Sequence, residues 1–168
     1  PSSFIFFTGN AAKGKSIGSE IEARWIPNDR LELYFNAGLL RAKIEQYSGP
    51  DTTLNDRSAA HAPAYTLSSG WEYRYPSGIF VMMSASATDE FYFDANHNQK
   101  SKAFELMNAR LGFEKDNWSI QLWGKNLTNK DFAVRGFYFG NEPPDFPNAI
   151  YTRRGDPRQV GLTFDMRF

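Results

Sequence analysis

The side chains that most often carry chemistry are few in this sequence and lie apart. His61 and His97 are the two histidines; His61 follows Asn55-Asp-Arg57 and His97 lies inside Asp94-Ala-Asn-His-Asn98. A hydrolase or protease needs a nucleophile, a base and an orienting acid in fixed geometry. Neither stretch supplies that set, so no enzyme is expected and no residue is assigned a catalytic role. The chain has no cysteine, which excludes disulfide frameworks, zinc-finger spacings, thiolate nucleophiles and iron–sulfur clusters. It also has no phosphate-binding glycine loop and no metal-ligand cluster, so no cofactor and no metal are expected. Charge balances at 19 Lys+Arg against 19 Asp+Glu, which removes nucleic acid as the main partner.

The elements that carry these residues are strands. Val160, Leu162, Phe164, Met166 and Phe168 alternate with Gln159, Gly161, Thr163, Asp165 and Arg167, the period-2 signature of a strand with one apolar face. The alternation recurs upstream, where Ile17, Ile21, Ala23 and Trp25 oppose Glu20, Glu22 and Arg24, and Leu31, Leu33, Phe35, Ala37 and Leu39 oppose Glu32, Tyr34, Asn36 and Gly38. Pro27-Asn-Asp-Arg30 between them has turn chemistry, as do Tyr75-Pro-Ser-Gly78 and Lys115-Asp-Asn117. The expected fold is all-β, an antiparallel up-and-down meander of about eight strands. Their ends fall near 3-10, 15-27, 31-44, 64-75, 79-93, 102-114, 118-126 and 157-168, with Phe4–Asn10 the least regular.

The connections alternate between short turns and the long stretches 45-63, 94-101 and 127-156. That asymmetry, with strands long enough to cross a bilayer when tilted, marks a transmembrane β-barrel with short periplasmic turns and long outer loops. The longest apolar run of note, Ile79–Met83, is too short for a membrane-spanning helix. Near the short turns the apolar face carries Trp25, Trp71, Tyr73, Phe113, Trp118 and Phe168, which would form an aromatic belt at one membrane interface. The other face carries Glu20, Glu22, Arg24, Glu32, Glu72, Arg74, Arg110, Glu114, Lys125, Asp165 and Arg167, mixed signs suited to cross-strand pairing or to contact with a plug rather than to a pore selective for one sign.

Asn126-Leu-Thr-Asn-Lys-Asp-Phe-Ala-Val-Arg-Gly-Phe-Tyr-Phe-Gly140, preceded by Leu122-Trp-Gly-Lys125 and followed by Tyr151 and Gly155-Asp-Pro-Arg-Gln-Val-Gly161, resembles the carboxy-terminal end of TonB-dependent outer-membrane receptors. Residues 14-25 and 30-38 are similar to paired strands of the same barrel. The resemblance implies that residues 1-168 are the carboxy-terminal portion of such a barrel, a single domain without the family's plug. It implies a place in the bacterial outer membrane and a role in active import of a ferric siderophore or a similar large, scarce nutrient. The implied partners are outer-membrane lipid, the receptor's own plug domain, the TonB energy-coupling complex reached through that plug, and the assembly machinery. That machinery reads the terminal strand, here Val160, Leu162, Phe164, Met166 and Phe168.

His61, His97, Phe137, Tyr138, Arg153 and Arg154 fall in or near the expected outer loops and are the candidates to face a ligand; the aromatics could equally pack beneath the barrel rim. The chain starts at Pro1, without an initiator Met or a signal segment, as a processed protein or a piece of a longer one would. Two other architectures fit the strand pattern: a complete small eight-stranded outer-membrane barrel with a structural or adhesive role, and a soluble β-sandwich binding carbohydrate through its aromatics.

Overall fold

The computed structural model describes residues 13–48 and 53–167. The first expected strand, 3-10, and Phe168 lie outside the described residues. Among the described residues eleven strands follow one another: β1 (Lys13–Asn28), β2 (Leu31–Ser48), β3 (Thr53–Leu54), β4 (Arg57–Ser58), β5 (Tyr65–Arg74), β6 (Ile79–Thr88), β7 (Phe104–Lys115), β8 (Trp118–Lys125), β9 (Ala133–Gly140), β10 (Asn148–Arg154) and β11 (Gln159–Met166). The long ones pair in the order β1-β2-β5-β6-β7-β8-β11, every neighbour antiparallel. This is an all-β meander, and its connections alternate short and long.

The short connections owe their shape to particular residues. Asn28 Oδ1 accepts hydrogen bonds from the backbone N–H groups of Arg30 and Leu31 at 3.0 and 3.1 Å, an Asx turn that closes β1 onto β2. Gly78 turns β5 into β6 with φ of 91°, and a Cβ there would lie 2.3 Å from the Glu114 carbonyl oxygen. Asp116, at φ 35°, turns β7 into β8.

Two long connections depart from expectation. The strand expected over 79-93 stops at Thr88, because Phe91 and Phe93 hydrogen-bond back to Ser101 and Gln99 and fold the chain into a compact loop. The stretch 127-156 is a hairpin rather than an irregular loop, with β9 and β10 forming their own two-stranded sheet.

Register sorts the side chains of the main sheet by face. Leu31, Tyr73, Val81, Leu111, Leu122 and Leu162 are successive cross-strand partners, so one apolar rung crosses six strands. The adjacent rung on the other face runs Glu32, Glu72, Met82, Arg110, Trp123 and Gly161. The apolar rung faces outward from the protein: Leu111, in the middle of the sheet, is 52% exposed and Leu162 is 67% exposed. Among the described residues no second sheet covers it.

The polar face is closed by aromatics lying over glycines. Tyr34, Phe80 and Trp123 each pair across the ladder with a glycine, Gly70, Gly112 and Gly161. A Cβ on any of these glycines would sit within 2.6 Å of the partner ring. The missing side chain is therefore the space the ring occupies, the arrangement by which aromatics support sheet glycines.

Candidate functional site

The buried hydrophobic residue among those described is Phe93, 5% exposed, and it belongs to a loop rather than to the sheet. It packs on Gly136 of β9, where a Cβ would meet its ring at 2.4 Å. Phe91 lies edge-on to it at 6.0 Å and carries the His61 ring at 5.3 Å on its other contact. The His61 N–H donates to the Tyr92 carbonyl at 2.9 Å, tying the loop before β5 to the loop after β6. Tyr92 in turn has the Arg57 guanidinium 4.0 Å and the Lys100 ammonium 4.4 Å from its ring centre, both within cation–π range. Arg57 also donates to Asn98 Oδ1 at 2.6 Å and to the His97 carbonyl.

His97 is held by Asp94, whose carboxylate accepts from the His97 ring at 2.9 Å and from the backbone N–H groups of Asn96 and His97 at 2.7 Å. Burial pushes the Asp94 carboxyl up, but these hydrogen bonds outweigh it and hold it below the usual carboxylate range. The other side of the His97 ring meets Tyr138 of β9 at 5.1 Å. Of the six candidate residues, His61 thus packs on the Phe91–Phe93 segment, while His97, in contact with Tyr138, is linked to that segment through Arg57.

The other three lie elsewhere. Phe137 is exposed, with the Arg135 guanidinium 4.8 Å from its ring. Arg154 pairs with Asp131 at 2.8 Å. Arg153 and Arg154 border a cleft of about 340 Å³ at the foot of the β9–β10 hairpin, together with Lys125, Asn108 and Gln159 at the outer ends of β8, β7 and β11. An anionic group entering that cleft would meet Lys125 and Arg153, neither of which has an ion-pair partner among the described residues.

The cleft is framed by a residue that sequence reasoning quoted without assigning it a task. Asn126 is 4% exposed and sits at φ 47°. Its Nδ2 donates to the carbonyls of Lys130 and Asp156 at 2.9 and 3.0 Å, and its Oδ1 accepts from the Lys130 N–H at 2.8 Å. Its own N–H donates to Asn108 Oδ1 at 3.0 Å, and Asn129 Oδ1 accepts from the Arg158 N–H at 3.0 Å. Asn126-Leu-Thr-Asn129 is therefore a clamp that fixes the outer hairpin to β7 and to the start of β11; two asparagines three apart at the end of a strand were the available signal. Arg57, Tyr92 and Phe93 left no comparable trace, because their partners are remote in sequence.

At the short-turn end, Trp25, Trp71, Tyr73, Phe113 and Trp118 all stand on the apolar face. Phe113 and Trp118 are 5.5 Å apart, and Trp118 lies 6.1 Å from Phe164. On the polar face, Arg24 forms a two-pronged pair with Glu32 at 2.6 and 2.8 Å, while Arg74 meets Glu72 at 2.5 Å and Glu114 at 3.0 Å. Glu32 and Glu72 are directly opposed across the ladder, so the two arginines on either side offset the repulsion of a like-charged pair.

No model of a known protein family matches the sequence. Solved structures do match the fold. The ferric yersiniabactin uptake receptor FyuA of Yersinia pestis superposes with a TM-score of 0.78 at 18% identity, over 95% of this chain and 24% of its own. The fold is that of a receptor-barrel segment. The siderophore receptor PiuA of Acinetobacter baumannii gives 0.74 at 14% identity, over 91% of this chain and 22% of its own. The open form of the ferric-catecholate import receptor Fiu of E. coli K12 gives 0.69 at 17% identity, over 94% and 21%. The chain thus spans 21 to 24% of the length of these receptors. All three are named as receptors, FyuA for uptake and Fiu for import, and none as an enzyme. The segment has the barrel fold that residues 122 to 161 resemble, that of the TonB-dependent receptors.

Proposed function

We propose that this chain forms wall and outer loops of a bacterial outer-membrane receptor that imports a ferric siderophore or a similar large, scarce nutrient, energised through TonB. The observation that carries the reading is the apolar rung from Leu31 to Leu162, half-buried at Leu31, Tyr73 and Val81 and exposed at Leu111, Leu122 and Leu162, backed by a polar face and flanked by connections that alternate short and long. Water is a poor solvent for such a surface and hydrocarbon a good one, while the continuous antiparallel hydrogen-bond ladder suits strands in lipid. The names of the three matching receptors support the ligand class.

In this reading the apolar face meets lipid and the polar face meets the lumen and a plug domain. Trp25, Trp71, Tyr73, Phe113 and Trp118 form the periplasmic belt, and Val160, Leu162, Phe164 and Met166 are read by the assembly machinery. Arg153 with Lys125 and the exposed Phe137 face the ligand, whereas His61, His97 and Tyr138 hold the loops in place around them.

The segment has no cysteine of its own, which makes sidedness directly measurable. In cells making the full reading frame that contains this chain, Asn141→Cys should react with a membrane-impermeant maleimide while cells are intact, and Ser77→Cys only after they are opened. Equal labelling of the two, or recovery of the protein in the soluble fraction, would refute the barrel reading. Deleting the gene should abolish growth on a ferric siderophore as sole iron source; growth unaffected across hydroxamate, catecholate and phenolate types would remove the ligand class and leave the barrel standing.

A further inference from the structure

We propose that Lys15, Arg41 and Lys43 form a binding site for the phosphorylated headgroup of an outer-leaflet lipid; the inference rests on the barrel reading above. The β1–β2 hairpin runs past the apolar band, and its character changes sharply as it does so. Ile17, Ile21, Phe35 and Leu39 share one face of the hairpin, and continuing outward that same face presents Arg41, Lys15 and Lys43. Ile17 pairs with Arg41 and Lys15 pairs directly with Lys43. Two cations opposed across a ladder repel each other unless an anion lies between them.

The three cations line a cleft of about 310 Å³ with Ile17, Glu45 and Asp56. Asp56 already shows that the cleft accepts an anionic oxygen: its carboxylate receives a hydrogen bond from Lys43 Nζ at 2.6 Å. That bond, the Lys43 charge and the nearby Arg41 hold the Asp56 carboxyl below its usual range. Lys15 and Arg41 have no ion-pair partner among the described residues. At the corresponding rim of β7 the charges are neutralised instead, Glu105 pairing with Lys130 at 2.9 Å.

A lipid fits this site better than a free anion. Its phosphate would sit among the cations while its acyl chains continue down the apolar face over Ile17 and Leu39, and cations beside a bilayer attract anionic headgroups. A soluble phosphate could use the charges alone.

The test uses the full-length protein containing this chain, purified in detergent and followed by native mass spectrometry with three probes: diphosphorylated lipid A, phosphatidylethanolamine and inorganic phosphate. Lipid A should be retained most strongly. Each cation removed should weaken it roughly fivefold, so the combined Lys15→Gln, Arg41→Gln, Lys43→Gln variant should bind about a hundredfold more weakly. Asp56→Asn, which removes the competing carboxylate, should bind several-fold more tightly and decides the matter should the triple variant fail to insert. Unchanged retention in the triple variant, weaker retention in Asp56→Asn, or equal retention of phosphatidylethanolamine would overturn the site, as would displacement of lipid A by equimolar inorganic phosphate. With the wild-type protein in the outer-membrane fraction, any of these results defeats the site and leaves the barrel standing. A wild-type protein found in the soluble fraction defeats both.

Discussion

The meander sheet and the long loops solve opposite problems. The loops behave as a small water-soluble protein would: Phe93, Ser101 and Asn126 are buried, and Asp94, Asn126 and Asn129 use side-chain hydrogen bonds to satisfy irregular backbone. The sheet has no such core. Its backbone is paired strand to strand, its apolar face stays exposed, and its polar face is filled by single aromatics over glycines rather than by packing against another layer. On the barrel reading proposed above, the two regions are built for different solvents, so a given substitution should have opposite consequences in each.

The largest expected effect tests the sheet half of this contrast. Leu162→Arg, with the protein refolded into lipid vesicles and unfolded by denaturant, should cost about 2–4 kcal/mol if residue 162 lies near the bilayer midplane. Thr163→Arg, one residue on and on the other face, should cost much less, chiefly the hydrogen bond that Thr163 Oγ1 accepts from Trp123 Nε1 at 3.1 Å. Equal costs would mean that the faces are misassigned. Next comes the clamp. Asn126→Ala leaves the carbonyls of Lys130 and Asp156 and the Lys130 N–H without partners in a buried place, at a cost of about 1–3 kcal/mol. Hydrogen exchange should show that loss in residues 126–158, with the β5–β6 ladder unchanged; a uniform loss would mean that loops and sheet unfold as one unit.

A smaller effect is expected at the loop core. Gly136→Ala places a methyl against the buried Phe93 ring, which must shift to make room, so about 1 kcal/mol of local stability should be lost. The reporter is His61, whose N–H to Tyr92 carbonyl bond should exchange faster once Phe91 and Phe93 shift. Unchanged His61 exchange would uncouple the two loops.

How much of this was legible beforehand divides along the same line. Period-2 alternation located β1, β2, β5, β7, β8 and β11 closely, because in a sheet with one apolar and one polar face each residue's environment is set by its parity. The strand end at Thr88 was missed because Phe91 and Phe93 continue the apolar pattern while their backbone turns away, and sequence does not reveal that Ser101 and Gln99 are their partners. The β9–β10 hairpin was missed for a related reason: Pro143-Pro144 and the surrounding polar residues read as loop, although Phe137 to Phe139 pair with residues ten or more positions away. Of the candidate ligand-facing residues, the histidines drew notice by rarity alone, and their links to the Phe91–Phe93 segment, direct for His61 and through Arg57 for His97, came from tertiary structure.

The smallest effect is the most selective, because it titrates the loops and leaves the sheet untouched. Asp94 has a folded-state pKa below its ordinary value, so its contribution is present above the unfolded carboxylate pKa of about 3.9 and is lost as pH falls through the lower, folded value. Between neutrality and about pH 5 the loop 89–103 should therefore hold its hydrogen-exchange protection, and below about pH 4 it should open as the bonds to Asn96 and His97 are given up. The β7–β8 ladder should keep its protection across the same range. Asp94→Asn should retain part of the turn through its amide oxygen yet lose the acid dependence. If the loop opened at low pH equally in wild type and Asp94→Asn, the charge of Asp94 would not be what holds it, and the loop would owe its order to the Phe93 contact with Gly136 and to its bonds with Gln99, Ser101 and His61.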